Sequence, residues 1–335
     1  MKNIVTIGGG NGSPVINEAL LRSGKVKFID TITAVFDTGG ATGRRRTDSR
    51  GQELAYSDPM RNMLSLANPK QRQTPQYKAL VKLMTSRSWG KVLGQEIFAH
   101  FHKDGDGFDN VQNQLSELTG IKFLGRVIPS TTCSTNIVFK TKSGRIYTGE
   151  NQLDDHSMSK DTIEKMWLEK KCNAYEEAVK AIKNASIVIF SCGSLHGSVL
   201  CNLLPKGIKE ALKSSKARIY AITNLVSTRN ETNNYTPFDF VNIIREYSDI
   251  SPTALIVPAI SRTKFEAKFP EVANLYQLDN SHFLGWEEEE LVRFTKTSGV
   301  KVIKHHATKI IETKENEKTI RHDPIKLAKT FKEIL

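Results

Sequence analysis

Short runs of β-branched and apolar residues, each closed by glycine or a polar turn, predict buried strands at residues 3–7, 31–36, 187–190, 217–223, 254–257 and 300–303. Between them apolar positions recur at helical spacing. Val15, Ile16, Ala19 and Leu20 predict a helix over 14–22, with Ser13 as N-cap and Pro14 at the first helical position. The same spacing predicts helices at 59–67, 76–85, 109–119, 161–184, 199–212 (broken or shifted at Pro205), 238–247 and 324–335, the last capped by Asp323. Alternation over 136–140 and 146–149, around Lys142-Ser143-Gly144, predicts a hairpin.

Two strand–turn–helix–strand units therefore begin at residue 3 and near residue 186. They imply an α/β fold: a Rossmann-like, three-layer, doubly wound and mainly parallel sheet, with the site between its loops. We read residues 1–335 as a single domain, with 70–160 as a small inserted hairpin/helical cap region. Residues 37–51 are polar and rich in glycine and arginine, and read as a functional loop.

Composition is that of a globular protein: 39% apolar and 25% charged residues over 335 positions. The formal charge of +12 favours an anionic partner, and phosphorylated small molecules, nucleic acid and an acidic membrane surface all qualify. Near the C-terminus Lys301, Lys304, Lys309, Lys314 and Lys318 alternate with Glu312, Glu315 and Glu317, which reads as a solvated face or loop. Cys133, Cys172, Cys192 and Cys201 form no C-x-x-C pair, so buried, reduced thiols are expected rather than a disulfide framework or zinc site. The early first strand leaves no signal segment, and no apolar run reaches the ~20 residues that span a bilayer. A soluble, cytoplasmic protein is expected.

Gly8-Gly-Gly-Asn-Gly-Ser13 ends a strand and opens a helix. Glycines let the backbone approach a phosphate, and a helix N-terminus offers N–H groups and partial positive charge. The residues placed on the ligand are Gly9, Gly10, Asn11, Gly12 and Ser13; the alternative is a tight βα turn with no ligand. Asp37 stands where dinucleotide-binding folds keep a ribose-binding carboxylate, or else caps the turn before Gly39 and Gly40. Arg44, Arg45, Arg46 and Arg50 suit bidentate phosphate binding, or form a solvated run. Arg61 and Asn62 could reach the same cleft, with an Arg61–Asp58 surface ion pair as the alternative. The second polar loop brings Gly193, Ser194, Leu195 and His196, which could hold a second phosphate or sugar; His196 could also act as acid or base. Asn224, Glu231 and Thr232 could read a base or ribose, or lie in a hydrated loop. His100 and His102, spaced for one side of a strand, lack a carboxylate or thiol cluster that would complete a metal site, so no metal ligand is assigned.

Taken in order, these loops resemble one family, that of 2-phospho-L-lactate transferase (CofD) and the bacterial gluconeogenesis factor (YvcK). The resemblance runs through Ile7-Gly-Gly-Gly-Asn-Gly, Asp37-Thr-Gly-Gly-Ala-Thr-Gly-Arg, Asp58-Pro-Met-Arg-Asn, Gly125-Arg-Val-Ile-Pro, Gly193-Ser-Leu-His and Asn202-Leu-Leu-Pro-Lys-Gly-Ile. It continues through Asn224-Leu-Val-Ser-Thr-Arg-Asn-Glu-Thr-Asn-Asn-Tyr-Thr and ends at Arg321-His-Asp-Pro. The Asp37 loop and the Arg321-His-Asp-Pro ending look closer to the gluconeogenesis-factor branch. That branch implies nucleotide or UDP-sugar binding with a regulatory role in carbon metabolism and cell-wall morphogenesis. The transferase branch implies movement of a phospholactyl group from a guanosine diphosphate carrier to a deazaflavin, with magnesium. Thr38 stands where members often carry a second acidic residue, Ser191 where the second loop often has a glycine, and Asn230 before the Glu–Thr pair. The missing carboxylate counts against magnesium-dependent transfer and leaves phosphate binding intact. NAD, motivated by the first βαβ unit, and nucleic acid, motivated by net charge alone, are the weaker ligand readings. The oligomeric state is open, with a homodimer among the options.

Overall fold

The computed structural model describes residues 2–46, 53–102, 106–154, 161–228, 230–313 and 317–335. Seven parallel strands form the central sheet, in the spatial order Lys301–His305, Ala254–Pro258, Arg218–Ile222, Ile187–Phe190, Ile4–Ile7, Ile29–Thr33 and Gly125–Pro129. The central runs Ile4–Ile7, Ile187–Phe190 and Ala254–Pro258 are wholly buried, as parallel strands covered on both faces must be, while the edge strand Lys301–His305 is partly exposed. Chain direction across the sheet reverses between Ile4–Ile7 and Ile187–Phe190, which pair in register from Ile4↔Ile187 to Ile7↔Phe190. The loops that leave these two strands diverge there and open a crevice.

The first loop is held from below by a buried polar network. Thr6 Oγ1 donates to Asn17 Oδ1 (2.8 Å), and the Asn17 amide donates to Asn62 Oδ1 and Ser65 Oγ, both at 3.1 Å. The Asn62 amide in turn donates to Thr33 Oγ1 at 3.1 Å and to the Gly8 carbonyl at 3.4 Å. Asn17, Asn62, Thr6 and Thr33 are fully buried. Arg46 does the same for the Asp37 segment. It is 1% exposed and donates to the carbonyls of Phe36 (3.1 Å), Asp37 (3.3 Å), Glu53 (2.7 Å) and Thr135 (2.7 Å).

Several elements differ from the sequence expectation. The first helix runs Gly12–Arg22 with Asn11 as N-cap, so Ser13 lies inside it, buried, rather than capping it. The second strand is Ile29–Thr33, earlier than residues 31–36, because its partner Ile4–Ile7 sets the register. Residues 40–46 of the expected loop form a short helix, Gly40–Arg46, and Arg50 lies outside the described residues. The expected helix over 161–184 is a strand, Ile163–Leu168, followed by a helix, Glu176–Lys183. That strand pairs with Ile137–Thr141, which also carries the expected hairpin to Ile146–Thr148. Helix 199–212 is interrupted as Pro205 requires, into a π turn Leu195–Val199, a 3-10 turn Leu200–Leu203 and a helix Ile208–Ser214. His100 is helical, within Leu93–Phe101, and His102 is its C-cap. The lysine-rich C-terminal stretch is a strand and a hairpin, Thr308–Glu312 with Lys318–His322; Lys314 and Glu315 lie outside the described residues.

The free-thiol expectation fails for one pair. Cys133 and Cys172 form a disulfide with sulfurs 2.16 Å apart. Their segments run side by side, tied by Tyr175 N–H to the Ser130 carbonyl (3.0 Å) and Thr131 Oγ1 to the Asn173 carbonyl (2.7 Å). Proximity in the fold, not spacing in the chain, brings the sulfurs together. Cys192 and Cys201 are free and buried. Within 70–160, Gly125–Pro129 is the edge strand of the main sheet, while the Pro75–Thr85, Leu93–Phe101 and Asp109–Thr119 helices stack beside it.

The network makes a quantitative demand. Asn62→Ala removes one of the two acceptors of the Asn17 amide and the amide donor to Thr33 Oγ1 and the Gly8 carbonyl, and we expect a loss of about 1–3 kcal/mol in urea unfolding. A change of less than about 0.5 kcal/mol would mean the network holds nothing.

Candidate functional site

The crevice at the strand reversal is a cleft of about 1210 Å³. Its floor is the glycine loop. Gly10 holds a left-handed backbone at φ 61°, and a side chain on Gly9 would put its Cβ 1.9 Å from Asp58 Oδ2. Glycine is therefore required at both positions by backbone conformation and by close approach. The second loop closes from the other side: a Cβ on Gly193 would stand 3.1 Å from the Gly9 carbonyl.

Contacts from Asn224 and Glu231 order that second loop. Asn224 accepts from Gly193 N–H at 2.9 Å and donates back to the Gly193 carbonyl at 2.7 Å. Glu231, in the next loop, accepts from Ser194 Oγ at 2.8 Å and from His196 N–H at 2.7 Å. His196 Nδ1 lies 3.4 Å from Glu231 Oε2, with both side chains buried. Burial alone would raise the Glu231 pKa, but the bonds from His196 and Ser194 overcome it and hold the carboxyl below its ordinary value.

Of the residues singled out by sequence, Gly10, Asn11, Gly12, Asp37, Gly39, Gly40, Arg44, Arg61, Gly193, Ser194 and Asn224 line the cleft. The others lie behind it. Gly9 backs onto Asp58, Ser13 and Asn62 are buried, Leu195 and His196 sit in the π turn, and Glu231 and Thr232 brace loops. Of the arginine run, Arg45 is turned inward onto Glu53 (2.8 Å) and Glu96 (3.3 Å), while Arg44 stays exposed and reaches the Gly90 carbonyl at 3.0 Å.

Sequence reasoning left out several cleft residues. Lys309 and Ile311 on one strand, and Thr319 and Arg321 on its partner, pair across the C-terminal hairpin and face the cleft together. Their two-residue alternation was the available signal. Thr42 and Gln95, joined at 2.9 Å, also line it; Thr42 stood in the Asp37 motif without being placed on the ligand, and Gln95 carried no signal.

Charge in the cleft is balanced. Arg44, Arg61, Arg87, Lys309 and Arg321 face Glu18, Asp37, Asp58, Glu150 and Asp279. The cleft therefore offers no net field for an anion; what it offers are backbone amides and individual guanidinium groups. Asp37 accepts from Gly39 N–H (2.7 Å) and Ser57 Oγ (2.5 Å). Asp58 lies at the centre, bonded to Gly10 N–H and Ser198 Oγ (3.2 Å) and paired with Arg61 at 3.2 Å. Burial pushes its pKa up, and the Asp37 charge adds to this against the pull of Arg61 and the Gly10 amide. Among the described residues no three His, Cys, Asp or Glu side chains gather to hold a metal ion. Asp37 and Asp58 remain two carboxylates on one cleft, of which Arg61 already neutralises one.

This order of loops has matches among known proteins. The model of the family described as 2-phospho-L-lactate transferase CofD matches residues 4–308. The chain belongs to the CofD family. Within it, the chain is similar to the gluconeogenesis factor of Bacillus subtilis, 27% identical over 341 residues, covering 99% of this chain and 98% of that one. It is 30% identical over 274 residues to the gluconeogenesis factor of Listeria innocua, covering 80% of each chain. A crystal structure of a Bacillus halodurans protein superimposes with a TM-score of 0.79 at 26% identity, over 98% of this chain and 99% of that one. The family and the Rossmann-like α/β core expected from the ordered motifs are thus both borne out. No helix among the described residues is long and apolar enough to cross a membrane.

Against the cleft lies a buried histidine cluster. His322 Nδ1 is 3.6 Å from Cys192 Sγ, and its ring centre is 5.1 Å from that of His305. Burial, with the neighbouring His306 adding, lowers the pKa of His305 to about 4; burial, with His305 and then Arg321 adding, holds that of His322 well below the usual histidine value. Burial, helped by Arg262, also lowers His282 to about 4. The unfolded chain therefore binds more protons than the folded one below about pH 6.5, and stability falls as pH drops from there toward 4. For His305 alone we expect about 1 kcal/mol lost by about pH 5.5. Urea midpoints measured between pH 7.5 and 5.5 check this. Asp58, raised by burial, acts in the opposite sense, so the test is that His305→Gln flattens the slope; an unchanged slope refutes the assignment.

Proposed function

We propose that the cleft binds a nucleotide or nucleotide-sugar, a UDP-sugar in the leading case. The chain would then act as a regulatory protein of the gluconeogenesis-factor kind, in carbon metabolism and cell-wall morphogenesis. The observation that carries this is the open cleft at the strand reversal. There Gly10, Asn11 and Gly12 open a helix N-terminus beside Arg44 and Arg61, while Asn224 and Ser194 stand on the far side. The buried His196–Glu231 pair is spent on holding the second loop, which favours binding over acid–base turnover. UDP-N-acetylglucosamine at a hundredfold excess over its dissociation constant should raise the melting temperature by roughly 5 °C. No shift with any uridine nucleotide, alongside a shift with GDP or NAD, would reassign the base.

One observation favours a second reading, the phospholactyl-type transferase. Asp37 and Asp58 share the cleft closely enough for the charge of one to raise the pKa of the other. Magnesium is commonly held by one or two carboxylates together with ligand phosphates, and Asp37 with Asp58 fits that donor set. Bound there, the ion would offset charge on a transferring phosphoryl group.

Asp58→Asn separates the two readings. Under the binding reading it removes a like charge from beside the phosphate and frees Arg61, so nucleotide affinity rises by about tenfold. Under the transferase reading it removes a magnesium ligand, so magnesium-dependent affinity falls. Incubation with the guanosine-linked donor, deazaflavin and magnesium gives the complementary test, and absence of phosphorylated product removes the transferase.

A further inference from the structure

Between Asp58 and Glu96 the chain holds seven lysines and arginines and no acidic residue. At the far end of this stretch Arg87–Ser88 and Lys91–Val92 form a two-stranded hairpin. Its turn is Trp89-Gly90, both with left-handed backbone, at φ 51° and 75°. That is the geometry of a type I′ turn, whose first position favours Asn, Asp or Gly and disfavours a bulky residue. Trp89 is also 98% exposed. A strained backbone and a solvated indole are two penalties that no contact within the folded chain relieves.

The hairpin has two faces. Thr85, Arg87 and Val92 line the cleft. Ser88 and Lys91 pair on the opposite face, and Leu93, two residues on, follows Lys91. Leu93 N–H donates to the Ser86 carbonyl (3.0 Å) and Ser86 N–H to that of Leu83 (3.2 Å), so the backbones of Leu83 and Leu93 are both tied to Ser86 at the hairpin's base. Both are exposed, at 45% and 37%, and Lys82 is exposed beside them.

We infer that this outer face docks on an anionic phospholipid bilayer, with the Trp89 indole at the headgroup level and Lys82 and Lys91 against lipid phosphates, Lys91 exchanging its 4.0 Å pairing with Glu96 for them. Tryptophan with flanking lysines is the chemistry of the membrane interface, where an apolar ring with one polar edge is stable. Basic residues beside it add attraction to anionic lipid, and exposed leucines add apolar contact. The alternatives fit less well. A single-stranded nucleic acid would use the indole and lysines but leave Leu83 and Leu93 without a role. A second copy would bring like charges together. A lid over the cleft would use the face of Arg87 and Val92, not this one.

The test uses the full-length protein with vesicles of phosphatidylcholine alone and of equimolar phosphatidylcholine and phosphatidylglycerol. Sedimentation with the anionic vesicles only, weakened by salt, is expected, together with a blue shift of tryptophan emission. Trp89→Ala should abolish the blue shift and weaken binding by about tenfold, and Lys82→Glu with Lys91→Glu by at least as much. Both changes are at exposed positions, and an unchanged circular dichroism spectrum confirms that the variants fold. The inference is overturned if the protein stays in the supernatant, or if Trp89→Ala sediments as the parent does. It is equally overturned if the blue shift appears without vesicles, on adding UDP-N-acetylglucosamine or a short RNA.

Discussion

Everything at the cleft depends on the buried amide of Asn62. Its side chain donates to the Gly8 carbonyl and accepts from Asn17, which is anchored to Thr6 in the first strand. A glycine turn has little intrinsic preference for one conformation, and its freedom must be removed by something outside it. Here the constraint comes from beneath: polar groups in a dry interior, each of which costs free energy unless it meets a particular partner. That demand selects one position for the turn, and the helix that begins at Gly12 is aimed accordingly.

The same helix that supplies Asn62 reaches the other loops. Ser57–Ser65 begins with Ser57, whose hydroxyl donates to Asp37, and Asp58, whose carboxylate meets Gly10 and Ser198. Arg46 fixes the Asp37 segment a second time from within the core. The glycine loop, the Asp37 loop and the Gly193 loop come from distant parts of the chain, yet side chains of one nine-residue helix touch all three.

Much of this was legible because its causes are local. The Ile4–Ile7 and Ile187–Phe190 strands are short β-branched runs ended by glycine or a polar turn, and a parallel sheet with loops converging at the reversal follows from them. The illegible parts have non-local causes. Ile163–Leu168 contains Glu, Lys, Met and Leu, all helix formers, and is a strand because Ile137–Thr141 offers it an edge. Asn62 follows Arg61 on an amphipathic helix and resembles a surface residue; only the position of Asn17 shows that it faces inward. Cys133 and Cys172 lie 39 residues apart and meet because the segments around Ser130 and Asn173 are bonded side by side. Lys309 belongs to the cleft through a hairpin whose lysines suggested only a solvated face or loop, and Arg321 on the partner strand was legible only as the start of a motif.

Asp58 is where fold and site meet. A carboxylate on the Gly10 amide places the chain's own anion where a ligand phosphate would come, and burial keeps its pKa raised even with Arg61 beside it. A phosphate placed at this turn would compete with this carboxyl for the amide and for the guanidinium. Because Asp58 follows Ser57 directly, any shift of its side chain acts on the residue that holds Asp37. The glycine loop and the Asp37 loop are thus joined through two adjacent residues at the start of one helix.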